Sequence, residues 1–418
     1  MDNITHSLAG IWLAEAALPA AGRSGEGRTS SLRSALYFAA ILGNNLPDAD
    51  GLYAGRLAAR PLGYLLHHRG HSHTVALALP LALLTFALTL GFLRLRRQQL
   101  ERRDVARLAL VALLGPLLHI SFDFANNYGV HPFWPLYDGW LYGDSFFIVE
   151  PLFWAALIPL LLLQARTLLA RGLLGFVLVF GLCLCTFSEL VPARMAVLVF
   201  AYAALSAALA WRVRPAARVW LAAALFALPA LSFAGMHRLA RAHVLELAAR
   251  QFPRETTLDV VTTPTPANPL CWNITLVSRD GRDYVVRSGT FSTWPGVFTA
   301  SACHYEADEH PTAPHTRVTV AVRPELRWSR EFRAAGGELR ALAADDCRVA
   351  AFLGFARAPY WTPAGDGPQI VGDVRYDREA AIEFAEFALT PNPQCPRHVP
   401  PWIPPRSDVL DATVESSR

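Results

Sequence analysis

Long apolar runs separated by short polar breaks fill the first 235 residues, and the pattern changes character after them. Six runs, Val75–Leu93, Leu108–Phe124, Phe146–Leu163, Leu173–Val191, Ala196–Trp211 and Val219–Ala234, come near the length of about 17–25 residues that a helix needs to cross a bilayer. Ile4–Ala20 and Leu32–Leu46 are weaker runs of the same kind, so residues 1–235 predict about eight spans. Residues 236–254 keep helical spacing but alternate charged and apolar side chains, which predicts an amphipathic helix leading out of the last span. Residues 255–390 contain short runs rich in Val, Thr and aromatics, among them Trp272–Val277, Asp283–Val286 and Val318–Val322. Gly, Asp and Pro separate them, and they read as strands. Residues 391–418, with Pro396, Pro400, Pro401, Pro404 and Pro405, read as an extended, partly disordered tail. The predicted fold class is a polytopic α-helical membrane protein with a C-terminal, mostly β domain.

Arginine placement orients the helices, because short cytoplasmic loops collect positive charge. Arg94, Arg96, Arg97, Arg102, Arg103 and Arg107 follow the Val75–Leu93 run; Arg166 and Arg171 mark another connection, and Arg212, Arg214 and Arg218 a third. Arg23, Arg28 and Arg33 mark the first loop in the same sense, whereas residues 127–145 contain no Arg. Both termini, and with them the C-terminal domain, are expected outside the cytoplasm. Leu18-Pro19-Ala20-Ala21 looks like a signal-peptide cleavage site, but Asp2, His6 and Glu15 stand where a basic leader would be, so the segment reads as a retained helix.

Composition sharpens this division. The chain is 53% hydrophobic and 17% charged, well below the charge of an ordinary soluble protein. Residues 1–253 hold 21 Arg against 13 acids and the remainder 17 Arg against 21, so the net +4 is an average over unlike halves. The basic residues sit between apolar runs and form no basic face, which argues against a nucleic-acid partner. Cys183 and Cys185 lie in an apolar run and read as packing or lipid-facing residues. Cys271, Cys303, Cys347 and Cys395 predict two disulfides in an oxidising compartment, with the pairing left open. Trp272, Trp328 and Trp361 read as core of the C-terminal domain, and His304, His310 and His315 as exposed loop residues.

Ionisable groups beside membrane spans are costly and mark function. Here they fall at corresponding ends of successive helices: His6; Asn44, Asn45, Asp48 and Asp50; His67, His68, Arg69, His71 and His73; His119 and Asp123; Asp144 and Glu150. His119 and Asp123 are four apart and so share a helix face. His6, Asp48, Asp50, His68, His73, His119 and Asp123 offer imidazole and carboxylate donors without thiolate. That set suits one or more divalent ions, zinc first, with manganese or iron as alternatives. His67 and His71 read as solvated loop residues. Arg69 suits an anionic oxygen, and Asp144 and Glu150 orient ligands or accept a proton.

The opening Met1-Asp2-Asn3-Ile4-Thr5-His6-Ser7-Leu8-Ala9-Gly10 resembles the start of the YdjM-like family of inner-membrane, metal-dependent hydrolases. So do Leu46-Pro47-Asp48-Ala49-Asp50, His68-Arg69-Gly70-His71-Ser72-His73-Thr74, and His119-Ile120-Ser121-Phe122-Asp123 with Tyr128-Gly129-Val130 and Pro135. Gly143-Asp144 and Phe147-Ile148-Val149-Glu150-Pro151 match its next block. Asn268-Pro269 with Trp272, Phe352–Arg357 and Asp373–Tyr376 extend the similarity into the C-terminal domain. Ser72-His73-Thr74 replaces the family's Thr-His-Ser, and Glu150 stands where Asp is commoner. The resemblance implies hydrolysis and localisation to the bacterial inner membrane. Residues and resemblance together lead to a metal-activated water attacking a lipid or lipid-linked ester or phosphoester at the extracytoplasmic face. The alternative is a metal-binding transporter or sensor that cleaves no bond.

Overall fold

The computed structural model describes residues 1–19, 28–58, 61–303, 311–365, 367–379, 382 and 384–410. Ala20, Ala21, Arg23, His304, His310 and the tail beyond residue 410 lie outside the described residues, as does the side chain of Arg28. All eight apolar runs are helical, with boundaries set by caps more than by hydrophobicity. Asp2 caps α1 (Asn3–Ala17) by accepting the Thr5 N–H at 2.8 Å. Next come α2 (Arg28–Asn45) and a 3-10 turn at Pro47–Asp50, then the short helices α3 (Gly51–Leu57) and α4 (Leu62–His67) and a second 3-10 turn at His71–His73. The Thr74 hydroxyl then caps α5 (Val75–Leu95), which is followed by α6 (Arg102–Phe124). Glu150 caps α7 (Pro151–Gln164), whose first residue is a proline, so the expected Phe146 start moves inward. The remaining helices of this half are α8 (Leu168–Phe187), α9 (Ala193–Arg212) and α10 (Pro215–Gln251).

Five of these, α5, α6, α8, α9 and α10, are long and apolar enough to cross a membrane. Leu79, Leu83, Phe176, Val179, Val197 and Leu231 lie exposed on them, as expected of faces that meet lipid. The other three runs differ for physical reasons. Helix α7 has only 14 residues, and Phe153–Leu161 is buried without a break against α8, α9 and α10. An all-round apolar helix at the centre of a bundle is hidden by its neighbours. Helices α1 and α2 turn polar residues inward and pack on each other and on α6. At 37 residues, α10 is about 55 Å long, so one continuous helix serves as both the last span and the expected amphipathic linker.

Close backbone approach sets the α2–α6 and α1–α2 contacts. A Cβ on Gly115 would lie 3.0 Å from the Gly43 carbonyl carbon, and one on Gly10 would lie 2.7 Å from the Ala40 oxygen. Gly115→Leu is therefore expected to force α6 away from α2. A lower melting temperature together with lost metal binding in the purified protein checks this.

In the C-terminal half β1 (Thr256–Thr265), β2 (Asn268–Asp280) and β3 (Asp283–Ser292) form a meander. It continues through β4 (Thr316–Arg317) and β5 (Leu326–Ala335) into an antiparallel sheet of order β1-β2-β3-β5-β4. Helices α11 (Gly336–Asp345) and α12 (Cys347–Phe352) lead to a second antiparallel sheet of β6 (Pro359–Trp361), β7 (Ile370–Asp373) and β8 (Glu386–Ala388). A last short helix, α13, spans Ser407–Leu410. Cys271–Cys303 and Cys347–Cys395 are the two disulfides. Trp272, Trp328 and Trp361 are buried as expected, and His315 is exposed. Val318–Val322 is not a strand: only Thr316–Arg317 pairs with β5. Val318 and Val320 instead pack towards α10, so their alternation reports burial without a ladder.

The two halves share a core. Leu62, Leu65 and Leu66 from α4, with Tyr128 and Trp140 from the connection after α6, pack with Tyr284, Phe352, Phe355 and Tyr360. The proline-rich tail is extended, yet it does not hang free. Arg397 N–H donates to the Leu57 carbonyl at 3.1 Å and Ile403 N–H to the Asp138 carbonyl at 3.1 Å. Trp402 is buried and donates to the Leu66 carbonyl at 3.3 Å. Residues 397–403 form a strap across the segment that precedes α5 and the connection that follows α6. The arginine-rich connections α5–α6, α7–α8 and α9–α10 lie at the opposite end of the bundle from these loops and from the β domain.

Candidate metal centre

Four elements converge at the strapped end. The 3-10 turn after α2 presents Asp48 and Asp50, and the His68–His73 loop presents His68 and His73. The last two turns of α6 carry His119 and Asp123 on one face, and α1 brings His6. The Nε2 atoms of His73 and His119 lie 3.0 Å apart. From Asp123 Oδ2 they are 3.0 and 3.2 Å away, and each is 3.4 Å from Asp48 Oδ1. Asp48, His73, His119 and Asp123 thus form one group able to hold an ion, and Asp48, Asp50 and His68 a second; within each group the donor atoms all lie within 4.8 Å of one another. Asp48 belongs to both.

Hydrogen bonds fix the imidazoles. His119 Nδ1 is 2.6 Å from the Asn44 carbonyl, which can only accept, so that nitrogen carries the proton and Nε2 turns its lone pair inward. The Asp50 carboxylate accepts from the Ser72 hydroxyl at 2.6 Å and lies 2.9 Å from His68 Nδ1. His6 stacks on His119 with centroids 3.8 Å apart and sets Nε2 3.3 Å from Asp123 Oδ1, beside the four-residue group and not within it. Arg69 adopts a left-handed backbone (φ 57°), which costs energy for a residue that carries a Cβ. That conformation lets its N–H reach Asp50 at 3.0 Å while its guanidinium contacts Asp123 at 3.0 Å and Asn126 at 2.7 Å.

Residues 1–196 match the YdjM inner membrane protein family. The match meets the resemblance read from the motifs. It covers every residue of both groups, together with His6, Arg69, Asp144 and Glu150, and ends within α9. The matched part is similar to an inner-membrane protein family and carries helices long and apolar enough to cross a membrane; the β domain lies beyond the matched span. No curated protein and no solved structure matches the chain.

Not every residue of the family blocks enters the cluster. The Asp144 carboxylate receives both its 2.9 Å contacts from Arg357 in the C-terminal half. Glu150 caps α7 through the Leu152 N–H and accepts from the Ala267 N–H at 3.2 Å. Both carboxylates tie the helices to the β domain. His67 is buried, not solvated, because the strap brings His398 over it; His71 packs edge-on against Trp134 and close to Trp402.

Sequence reasoning passed over several supports. Asn3 donates to Asp48 at 2.7 Å, Asn126 accepts from Arg69, and the Met1 amino group meets Asp123. The run Met1–Ser7 held the signal for Asn3, since Thr5 and Ser7 are also engaged, with Trp154 and Asn45.

The donor chemistry fits a divalent cation. Asp123 Oδ2 is buried without a hydrogen-bond partner, although two imidazole nitrogens face it. Burial opposes ionisation of Asp50, but hydrogen bonds with His68 and His73 override it and hold the carboxyl below the usual range. Burial also disfavours charge on His73, yet Asp123, Asp48 and Asp50 raise it to about 10. Three carboxylates therefore draw positive charge into the cluster, which is the electrostatic requirement of a cation site.

Proposed function

We propose that the chain is a membrane-bound, metal-dependent hydrolase acting at the extracytoplasmic face on a lipid or lipid-linked ester or phosphoester. The observation that carries this reading is two His/carboxylate groups joined through Asp48, with the Arg69 guanidinium against Asp123. The cluster lies at the bundle end away from the arginine-rich loops, which the positive-inside bias assigns to the outside. Zinc is the first choice for such nitrogen and oxygen donors, with manganese or iron as alternatives. A divalent cation held there supplies Lewis-acid polarisation of the scissile carbonyl or phosphoryl oxygen and acidifies water. The chain's own groups complete the chemistry. Arg69 keeps Nε without a partner and offers it to an anionic oxygen. His6 keeps Nδ1 without a partner and, held neutral by burial and by His119, supports Asp123 from beside the cluster. Asn44, Ser72 and Asn3 hold His119, Asp50 and Asp48 in register. Asp144 and Glu150 act at one remove, by seating the β domain.

Purified full-length protein in detergent should release product from short-chain phospholipid or ester substrates. The rate should fall at least a hundredfold on chelation and in His119→Ala. A protein that retains its metal but shows no hydrolysis across both substrate classes would sink the assignment.

One observation favours transport or sensing instead. Glu15 is buried with Arg33 and Tyr37 between α1 and α2, so polar groups occur at a second depth. Glu15 is already paired there, which suits a structural lock better than a conducting site. Metal flux into proteoliposomes tests that reading.

A further inference from the structure

A second polar site lies in the C-terminal half, where the face of the five-stranded sheet meets residues 374–378. Thr275, Ser288 and Arg330 stand side by side across β2, β3 and β5, and Thr263 opposes Asn273 on the neighbouring row. Together with Arg375, Asp377 and Arg378 they line a cavity of about 40 Å³. Apolar floors are the rule beneath a covered sheet, so a row of amide, hydroxyl and guanidinium groups there needs a reason. Asn273 supplies the sharpest sign: both its amide nitrogen and its amide oxygen are buried without a hydrogen-bond partner. A buried amide left unmade in this way costs on the order of 1–3 kcal/mol unless something fills the space.

The charges select the ligand. Three arginines and one aspartate line the cavity. Asp377 accepts from the Thr312 and Ala313 N–H groups at 2.7 and 3.0 Å, which anchors its carboxylate to the wall. Arg375 is held by Asp373 and by the Asn127 carbonyl, so its charge is fixed in place. The volume admits a few waters or one small oxyanion and excludes an acyl chain. We propose that this cavity binds a phosphate group, either free phosphate or the phosphomonoester end of a headgroup, through Arg330, Asn273, Thr275 and Ser288.

The site is separate from the metal cluster but wired to it. Asn127 donates to Thr263 on the cavity wall at 2.9 Å, and its carbonyl accepts from Arg375 at 2.7 Å. The preceding residue, Asn126, is the acceptor that holds Arg69.

Calorimetric titration of the full-length protein in detergent with sodium phosphate, and separately with glycerol 3-phosphate, tests the site. Saturable phosphate binding is expected in wild type. It should weaken at least tenfold in Arg330→Gln, weaken severalfold in Thr275→Val, and persist in Asp123→Ala. Because Thr275→Val preserves shape, it keeps the test informative if Arg330→Gln fails to fold. Glycerol 3-phosphate binding tenfold tighter supports a headgroup as the source, and equal affinities support free phosphate. No saturable binding, equal binding in Arg330→Gln and Thr275→Val, or loss in Asp123→Ala would overturn the proposal; the last would place the anion at the metal cluster.

Discussion

Asp48→Asn is expected to strip the purified protein of tightly held divalent metal, whereas His68→Ala should leave one ion where wild type holds two. Asp48 is the residue common to both donor groups, and His68 belongs only to the second. With Asp48 gone, the first group keeps His73, His119 and a single carboxylate, Asp123, whose charge the Arg69 guanidinium and the Met1 amino group already offset, so its hold on a cation falls. The second group keeps two donors, too few for a structural or catalytic site. Asn preserves volume and one oxygen, so the loss reads as charge and denticity. Elemental analysis on wild type, Asp48→Asn and His68→Ala gives the stoichiometry directly. Thermal unfolding gives an independent readout, since a ligand present at about 1,000 times its Kd stabilises the native state by about 4 kcal/mol. Chelation should therefore lower the melting temperature of wild type and hardly move that of Asp48→Asn. Full metal content in Asp48→Asn would show that the shared carboxylate is not a ligand.

The membrane half was legible because its signals are local. Apolar length marked the helices, arginine marked their ends, and His119 and Asp123 declared a common face by spacing alone. The cluster stood out because a carboxylate within an apolar run such as Leu108–Phe124 has no cheap structural excuse. What stayed hidden depends on partners far away in the chain. Arg357 is 213 residues from Asp144, and no period or spacing connects them, so the part this carboxylate plays in seating a domain could not be read from the sequence. The strap was hidden for a related reason. Proline-rich composition predicts extension, which is observed, but says nothing of what the extended chain lies on; Trp402 was the one residue whose burial could have suggested a seat. Burial of His67 followed from that contact and could not be read before it. Val318–Val322 misled through a true signal, since alternation records which side chains are buried and is silent on hydrogen bonding.

Arg357→Met should be the most destabilising single change outside the cluster, costing about 3–5 kcal/mol, the range for removing one partner of a buried ion pair. The guanidinium lies between Asp144 on the membrane half and Asp259 on β1, at 2.9 and 2.7 Å, with side chains 5%, 4% and 14% exposed. Its backbone N–H donates to Asp373 at 2.8 Å, so the residue is locked from both ends. Met fills much of the same volume but leaves two carboxylates facing each other across an apolar stem. The sign of the pH dependence follows from Asp259. Burial works against its ionisation, but Arg357, Arg406 and Arg241 outweigh that and lower it to about 2. A carboxylate depressed on folding stabilises above its unfolded value near 3.9, and the benefit is lost as pH falls towards 2. The gap in melting temperature between wild type and Arg357→Met should thus be widest above about pH 4 and close as the pH drops. Adding Asp144→Asn to Arg357→Met should recover part of the loss at neutral pH, because it removes one of the stranded charges. A neutral-pH difference below about 1 kcal/mol, unaltered by acid or by the second substitution, would mean that the shared apolar core alone joins the two halves. If the full effect is seen, the β domain is held to the loops of the His/Asp cluster by a charge clamp as well as by packing, and its removal should disorder the cluster even though the two donor groups found among the described residues draw no member from it.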